Sequence, residues 1–156
     1  MEKELIVDNQ TISLKFNDGA NCWQTKTIID DLEIEIEIDF EYHTSKEVDW
    51  ENFKEFIKLV NKVGFLKKLI NDAEPLAFNL AKAFYRECYE NVSDHRAFFR
   101  NSIFYKGKTS NNLGCCYSLI FDFMVKRDNQ IFGDAYGMYL VDIENIIITG
   151  SKRIQL

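Results

Sequence analysis

Proline is nearly absent from this chain of 156 residues: only Pro75 is present. With seven glycines and no low-complexity tract, nothing in the sequence reads as a linker, and one domain spanning residues 1–156 is expected. Histidine is scarce too. His43 and His95 stand alone, and no CxxC or HxH spacing offers the paired ligands that a zinc site needs. The loop Asn17-Asp18-Gly19 lacks the further oxygen donors of a calcium loop. No GxGxxG or GxxxxGK[ST] is present. Gly107-Lys108-Thr109-Ser110 lacks the leading glycine of a phosphate loop, so no cofactor or metal is expected.

Long apolar runs are missing as well. The most hydrophobic stretch, CCYSLIFDFMV from Cys115, is short and carries Asp122, so no membrane span is expected. The start, MEKELIVDNQ, has no apolar segment behind a basic one and does not read as a secretory signal, which makes the expected location cytoplasmic. Four cysteines, Cys22, Cys88, Cys115 and Cys116, fit buried free thiols better than two disulfides in a chain of this size. Cys115 and Cys116 are neighbours and would point to opposite faces of a strand.

What the chain has in quantity is negative charge at one end. Its net charge is −6, and residues 1–62 carry 15 acidic against 7 basic side chains. Such a half repels nucleic acid and anionic membranes and suits a basic protein partner; the same charge also serves solubility. The strongest pattern lies there. In LEIEIEIDFEY, apolar Leu32, Ile34, Ile36, Ile38, Phe40 and Tyr42 alternate with Glu33, Glu35, Glu37, Asp39 and Glu41. Successive strand side chains point to opposite faces, so this stretch predicts a strand of roughly 36 Å with one apolar and one anionic face.

The period-two pattern continues on both sides. Strands are expected at Glu4–Val7, Thr11–Phe16 and Cys22–Ile29, separated by Asp8-Asn9-Gln10 and Asn17-Asp18-Gly19, with Asp30-Asp31 before the acidic strand. The period then becomes helical. Asp49 is placed to cap a helix through Val63 that buries Trp50, Phe53, Phe56, Ile57 and Val60, with Gly64 ending it. A short helical segment, Phe65 to Ile70, comes next. Pro75 suits a first helical position and so predicts a separate helix to Asn91, with Leu76, Leu80, Phe84 and Cys88 on its apolar face. Strands return at Ala97–Tyr105, Cys115–Val125, Tyr136–Ile143 and Ile146–Thr149, the last two joined at Glu144-Asn145. The expected fold is α+β: a mostly antiparallel sheet with a central block of two or three helices packed on one face.

Catalytic patterns are weak. Ser93-Asp94-His95 holds triad residue types, but adjacent residues do not converge as a triad must. Cys115 or Cys116 with His95, or the paired carboxylates Glu35 and Glu37, leave a small cytoplasmic enzyme as the alternative reading. A buried thiol is unreactive, however, and a uniform exposed acidic row does not split two pKa values into acid and base. Arg96, Arg100, Lys106 and Lys108 interleave with Phe98, Phe99, Phe104 and Tyr105 as in single-strand binders, against the net-negative balance of the chain.

Taken together, LEIEIEIDFEY and the closing GDAYGMYLVDIENIIITG (Gly133 to Gly150) give the stretch Leu32–Gly150 a layout that resembles the immunity proteins of bacterial polymorphic toxin systems. The resemblance implies a non-enzymatic inhibitor that binds one cognate toxin, in many cases a basic nuclease. Glu33, Glu35, Glu37, Asp39 and Glu41 are then the expected contact residues, with Tyr42, Trp23 and Trp50 as apolar anchors.

Overall fold

The computed structural model describes residues 1–38, 47–84, 94–127 and 130–156; in residues 94–96, 125–127 and 130–132 the backbone alone is described. Asp39, Phe40, Glu41, Tyr42, His43, Cys88 and Ser93 lie outside the described residues.

Nine strands and two helices are described. Four strands come first: β1 (Glu2–Val7), β2 (Gln10–Asn17), β3 (Cys22–Ile29) and β4 (Leu32–Ile38). Two helices follow, α1 (Trp50–Val60) and α2 (Phe65–Phe84), and then β5 (Asp94–Lys108), β6 (Cys115–Arg127), β7 (Gln130–Gly133), β8 (Gly137–Glu144) and β9 (Ile147–Gln155). One sheet runs β1-β2-β3-β4-β5-β6-β8-β9, with β7 pairing to β6. The fold is therefore α+β with a largely antiparallel sheet. Among the described residues the single parallel pair, β4 with β5, sits where the chain passes through the helices, because parallel neighbours need a long crossover.

The hairpin turns follow from their residues. Asp8-Asn9 and Asp30-Asp31 all hold positive φ, between 47° and 66°. That is the geometry of a two-residue turn whose twist matches the strands it joins, and Asp and Asn tolerate it better than other side chains with a Cβ. Val7 pairs with Gln10 and Ile29 with Leu32 directly across these turns. The β8–β9 turn is Asn145-Ile146, one residue later than expected, again with Asn in the left-handed region.

Asp49 caps α1: its carboxylate accepts from the backbone N–H of Asn52 at 3.0 Å and pairs with Lys108 Nζ at 2.7 Å. The Lys108 bond, helped by the Asn52 N–H, holds the Asp49 carboxyl below its ordinary value. Phe53 and Phe56 pack on Tyr105, each at 5.1 Å between ring centroids, and Phe56 also meets Tyr117 at 5.0 Å. The helix ends at Val60, not Val63, with Asn61 as its C-cap; Val63 is fully exposed, so extending the helix that far would bury nothing. Gly64 adopts φ +74° and turns the chain directly into α2. Asp30 stabilises this junction from the β3–β4 turn, accepting from the N–H groups of Gly64 (2.8 Å) and Lys67 (3.2 Å). A carboxylate suits these open donors at a helix N-terminus.

Two helical expectations are corrected in α2. Phe65–Ile70 and the segment after Pro75 form one continuous helix of 20 residues with Pro75 inside it. The buried stripe explains why: Leu66, Leu69, Ala73, Ala77 and Ala81 recur at helical spacing straight through the proline, which faces solvent. The buried face also differs from the expected one. Leu76 and Phe84 are exposed and Leu80 is half-buried, while the alanines are fully buried. Small side chains bring a helix close to its neighbours, and here that closeness outweighs the larger apolar area of the leucines.

β6 is long enough to serve two partners on one side, β8 along Cys116–Phe121 and β7 along Met124–Arg127. The sequence pattern did not reveal β7. Between β7 and β8, the fully buried carboxylate of Asp134 is bound by Arg153 Nε (2.9 Å) and Nη2 (3.2 Å), Tyr139 OH (2.8 Å) and the N–H of Tyr136 (3.2 Å). Arg153 in turn lies 4.1 Å from the ring centroid of Phe84 and so ties β9 to α2. Gly137 leaves room for this clamp, since a Cβ there would fall 2.6 Å from Asp134 Oδ2.

Two substitutions test this account. Pro75→Ala restores a helical N–H and is expected to stabilise the protein by about 1–3 kcal/mol, read by urea unfolding. Asp49→Ala removes the α1 cap and is expected to cost about 1 kcal/mol at neutral pH. The folded pKa of Asp49 is depressed, so its contribution is complete above the ordinary 3.8 and disappears as pH falls through the lowered value. The difference between wild type and variant should close over that acidic range.

Candidate functional site

β4 lies inside the sheet, with β3 on one side and β5 on the other. Its alternation is complete over the described residues: Ile34, Ile36 and Ile38 are fully buried on one face, and Glu33, Glu35 and Glu37 share the other. Glu33 is exposed, while Glu35 and Glu37 are half-buried. Asp39 and Glu41, the other two residues of the expected contact row, lie outside the described residues.

Register shows what stands beside the row. Glu33 is opposite Ile28, Glu35 opposite Lys26 and Glu37 opposite Gln24 on β3. On β5, Ser102 faces Glu35 and Phe104 faces Glu37. Farther out, Gln24 is opposite Lys15, and Lys15 opposite Glu2, with Lys15 Nζ 3.6 Å from the Glu2 carboxylate. The β1–β4 part of this face thus carries Glu2, Glu4, Glu33, Glu35 and Glu37 against Lys15 and Lys26. It also displays two large apolar side chains, Ile6 (72% exposed) and Ile28 (68% exposed). The surface is not a bare row of carboxylates. It is an acidic field broken by two cross-strand lysines and flanked by exposed isoleucines.

The same face carries a second charged group farther across the sheet, which sequence reasoning missed. Lys106 Nζ donates to Asp142 Oδ1 at 2.7 Å, Ser118 Oγ donates to the same oxygen at 2.5 Å, and Lys152 Nζ lies 3.9 Å from Oδ2. Burial pushes the Asp142 carboxyl up, but the bonds from Lys106 and Ser118 outweigh it and leave the group below its ordinary value. Lys106, with 9% of its side chain exposed, and the half-buried Cys116 complete the group. The visible signal was Asp142 interrupting an apolar strand. Nothing local tied it to Lys106, because the contact runs through the β5–β6–β8 register.

On the isoleucine face, the polar groups near the α1 N-terminus are locked together. Tyr105 OH donates to Asn52 Oδ1 at 2.5 Å, and Asn52 Nδ2 donates to the carbonyl of Gly114 at 3.1 Å. Tyr117 OH donates to the carbonyl of Asn145 at 2.7 Å, and the N–H of Cys115 donates to Asn145 Oδ1 at 3.0 Å. Burial raises both tyrosine pKa values and pushes the Cys115 thiol up to about 11, so Cys115 is a protonated, unreactive thiol at neutral pH. Cys22 is buried, and Cys115 and Cys116 are free thiols on opposite faces of β6. His95 lies in β5 opposite Val125. Among the described residues, no group of three or more His, Cys, Asp or Glu side chains is placed to hold a metal ion.

The expected anchors are not exposed knobs. Trp23 is 7% exposed and Trp50 half-buried, and they pack edge to face at 5.5 Å, with Phe16 against Trp23 at 5.4 Å. Trp23 pairs with Ile38 on the isoleucine face, which carries its indole into the core. Together with Val48, Glu47, Asn21 and Met1, these rings line a cleft of about 430 Å³. Tyr42 lies outside the described residues.

No family model matches this chain, and neither a curated protein nor a solved structure shows significant similarity to it.

Lys106→Met tests the second charged group. It leaves the part-buried Asp142 carboxylate without its closest cation and is expected to cost about 1–3 kcal/mol at pH 7. The folded pKa of Asp142 is depressed, so the pair stabilises fully above 3.8 and loses that contribution as pH falls through the lowered value. Urea unfolding from pH 7 down to pH 3 should show the variant's deficit shrinking only at the acidic end.

Proposed function

We propose that the protein is a non-enzymatic binding module, an immunity-type inhibitor acting in the cytoplasm. The carboxylate-bearing face of β1–β4 would dock a basic, nuclease-type toxin domain. Both helices cover the isoleucine face in this reading. The α1 rings meet Tyr105 and Tyr117, and Phe84 of α2 meets Arg153, whose strand neighbour Tyr139 faces the same side. Among the described residues, no helix lies on the opposite face, which this reading assigns to a partner.

One observation carries the reading: exposed Ile6 and Ile28 stand on the same face as Glu2, Glu4, Glu33, Glu35 and Glu37. Charge of one sign speeds encounter with a basic surface, and apolar side chains that lose water on contact slow release. An inhibitor that must capture a toxin before it acts needs both properties. No helix among the described residues is long and apolar enough to cross a membrane.

The test pairs the purified protein with the C-terminal domain of any large secreted protein encoded in the neighbouring reading frame. The triple substitution Glu33→Lys, Glu35→Lys and Glu37→Lys is expected to slow association by about tenfold or more and to flatten its salt dependence. Ile28→Asp should instead speed dissociation. Association rate and salt slope unchanged by the triple reversal would show that the carboxylates are not the contact, and no binding at all would remove the inhibitor reading.

A further inference from the structure

The two edges of the sheet are built differently. β1 is short, and three of its six residues, Glu2, Lys3 and Glu4, are charged, which discourages pairing with another chain. β9 closes the other edge with nine residues, IITGSKRIQ, and among the described residues no strand pairs with its outer side. Twelve large apolar side chains are exposed among the described residues, and four of them gather at the ends of this edge: Ile146 (63%) and Ile147 (64%) at one end, Tyr136 (73%) and Leu156 (65%) at the other. The N–H of Leu156 bonds the carbonyl of Tyr136 at 2.8 Å, so the last two form one unit.

We propose that β9 is a self-association edge, at which a second copy of this chain adds its own β9 antiparallel and joins the two sheets. The pattern complements itself. A two-fold axis at Ser151 brings the Ile146–Ile147 end of each strand to the Tyr136–Leu156 end of its mate and sets Lys152 beside Gly150. A Cβ at Gly150 would meet nothing within 4 Å, which leaves space for the incoming lysine stem. The two cations of the strand are compensated within each chain, Lys152 by Asp142 at 3.9 Å and Arg153 by Asp134 at 2.9 Å, so the meeting edges do not repel. Thr149 is the extra residue of the bulge between the Asp142–Gly150 and Ile143–Ile148 pairs; it falls outside the central Gly150–Lys152 segment that pairs first. Backbone hydrogen bonds supply the continuous ladder, and the apolar ends supply the area that leaves water. This association is independent of the carboxylate face, which lies at the opposite end of the sheet.

Sedimentation of the purified full chain tests it. The average mass is expected to rise from 18.3 kDa towards twice that value as concentration increases, with a Kd on the order of micromolar to tens of micromolar for an interface of this small size. Ile146 and Ile147 are exposed, so Ile146→Lys with Ile147→Lys should leave the melting temperature unchanged while weakening association about tenfold or more. Amide exchange gives a second readout, with the β9 N–H groups that point away from β8 gaining protection as the protein is concentrated. A monomer mass up to about 0.5 mM, well above that Kd range, would overturn the proposal. So would a dimer that the double substitution leaves intact while β9 amides exchange at a rate independent of concentration.

Discussion

The placement of β4 between β3 and β5 is the constraint on which the rest depends. Ile34, Ile36 and Ile38 are fully buried, and two of them sit in cross-strand rows that continue on both sides: Ile36 between Thr25 and Ile103, Ile38 between Trp23 and Tyr105. A slip of one residue on either side would turn three isoleucines to solvent and three glutamates into the core. A cost of that size, set by burying unpaired carboxylates, fixes the register of neighbouring strands and with it the position of Tyr105 under Phe53 and Phe56. The glutamate positions are thus a by-product of isoleucine burial before they are anything else.

Much of this was legible because it is local. Strand period two, aspartates and asparagines where a turn needs positive φ, and Asp49 ahead of an apolar stripe all act within a few residues. Cys22–Ile29 was placed to the residue. Even the lysine opposite Glu35 follows from the sequence once Asp30-Asp31 is taken as a two-residue turn, because the register then counts outward from Ile29 and Leu32. In α2, the larger apolar side chains Leu76, Leu80 and Phe84 point to a face that is not the buried one. Packing distance chose the buried face instead, and three alanines went inside while Leu76 stayed out. Pro75 misled for a related reason: its local cost is smaller than the loss of a continuous buried stripe on both sides of it.

The polar interior divides along the same line. Lys106 with Asp142 and Ser118, Asp134 with Arg153 and Tyr139, and Asn52 with Tyr105 each join segments far apart in sequence. No pattern in one chain predicts such meetings, since each depends on which strand lands beside which. Every one of these groups is bonded to an internal partner, and the Cys115 thiol is held protonated. Side chains satisfied in this way hold a fold in register. The face that displays unburied isoleucine and carboxylate side by side has the capacity to engage something outside the molecule.

The parallel junction of β4 with β5 also governs the order in which the molecule can be assembled. β1 to β4 form by successive hairpins, each closing a loop of a few residues, whereas Glu35–Ile38 must wait for Ser102–Tyr105. Closing that long loop costs chain entropy that only the finished contact repays, and rates fall as such distant pairings dominate. During synthesis the first four strands emerge complete while the outer side of β4 is still unpaired. Until Ser102–Tyr105 is available to pair, the outer side of β4 is a sheet edge, and charged side chains on such an edge discourage pairing with another copy.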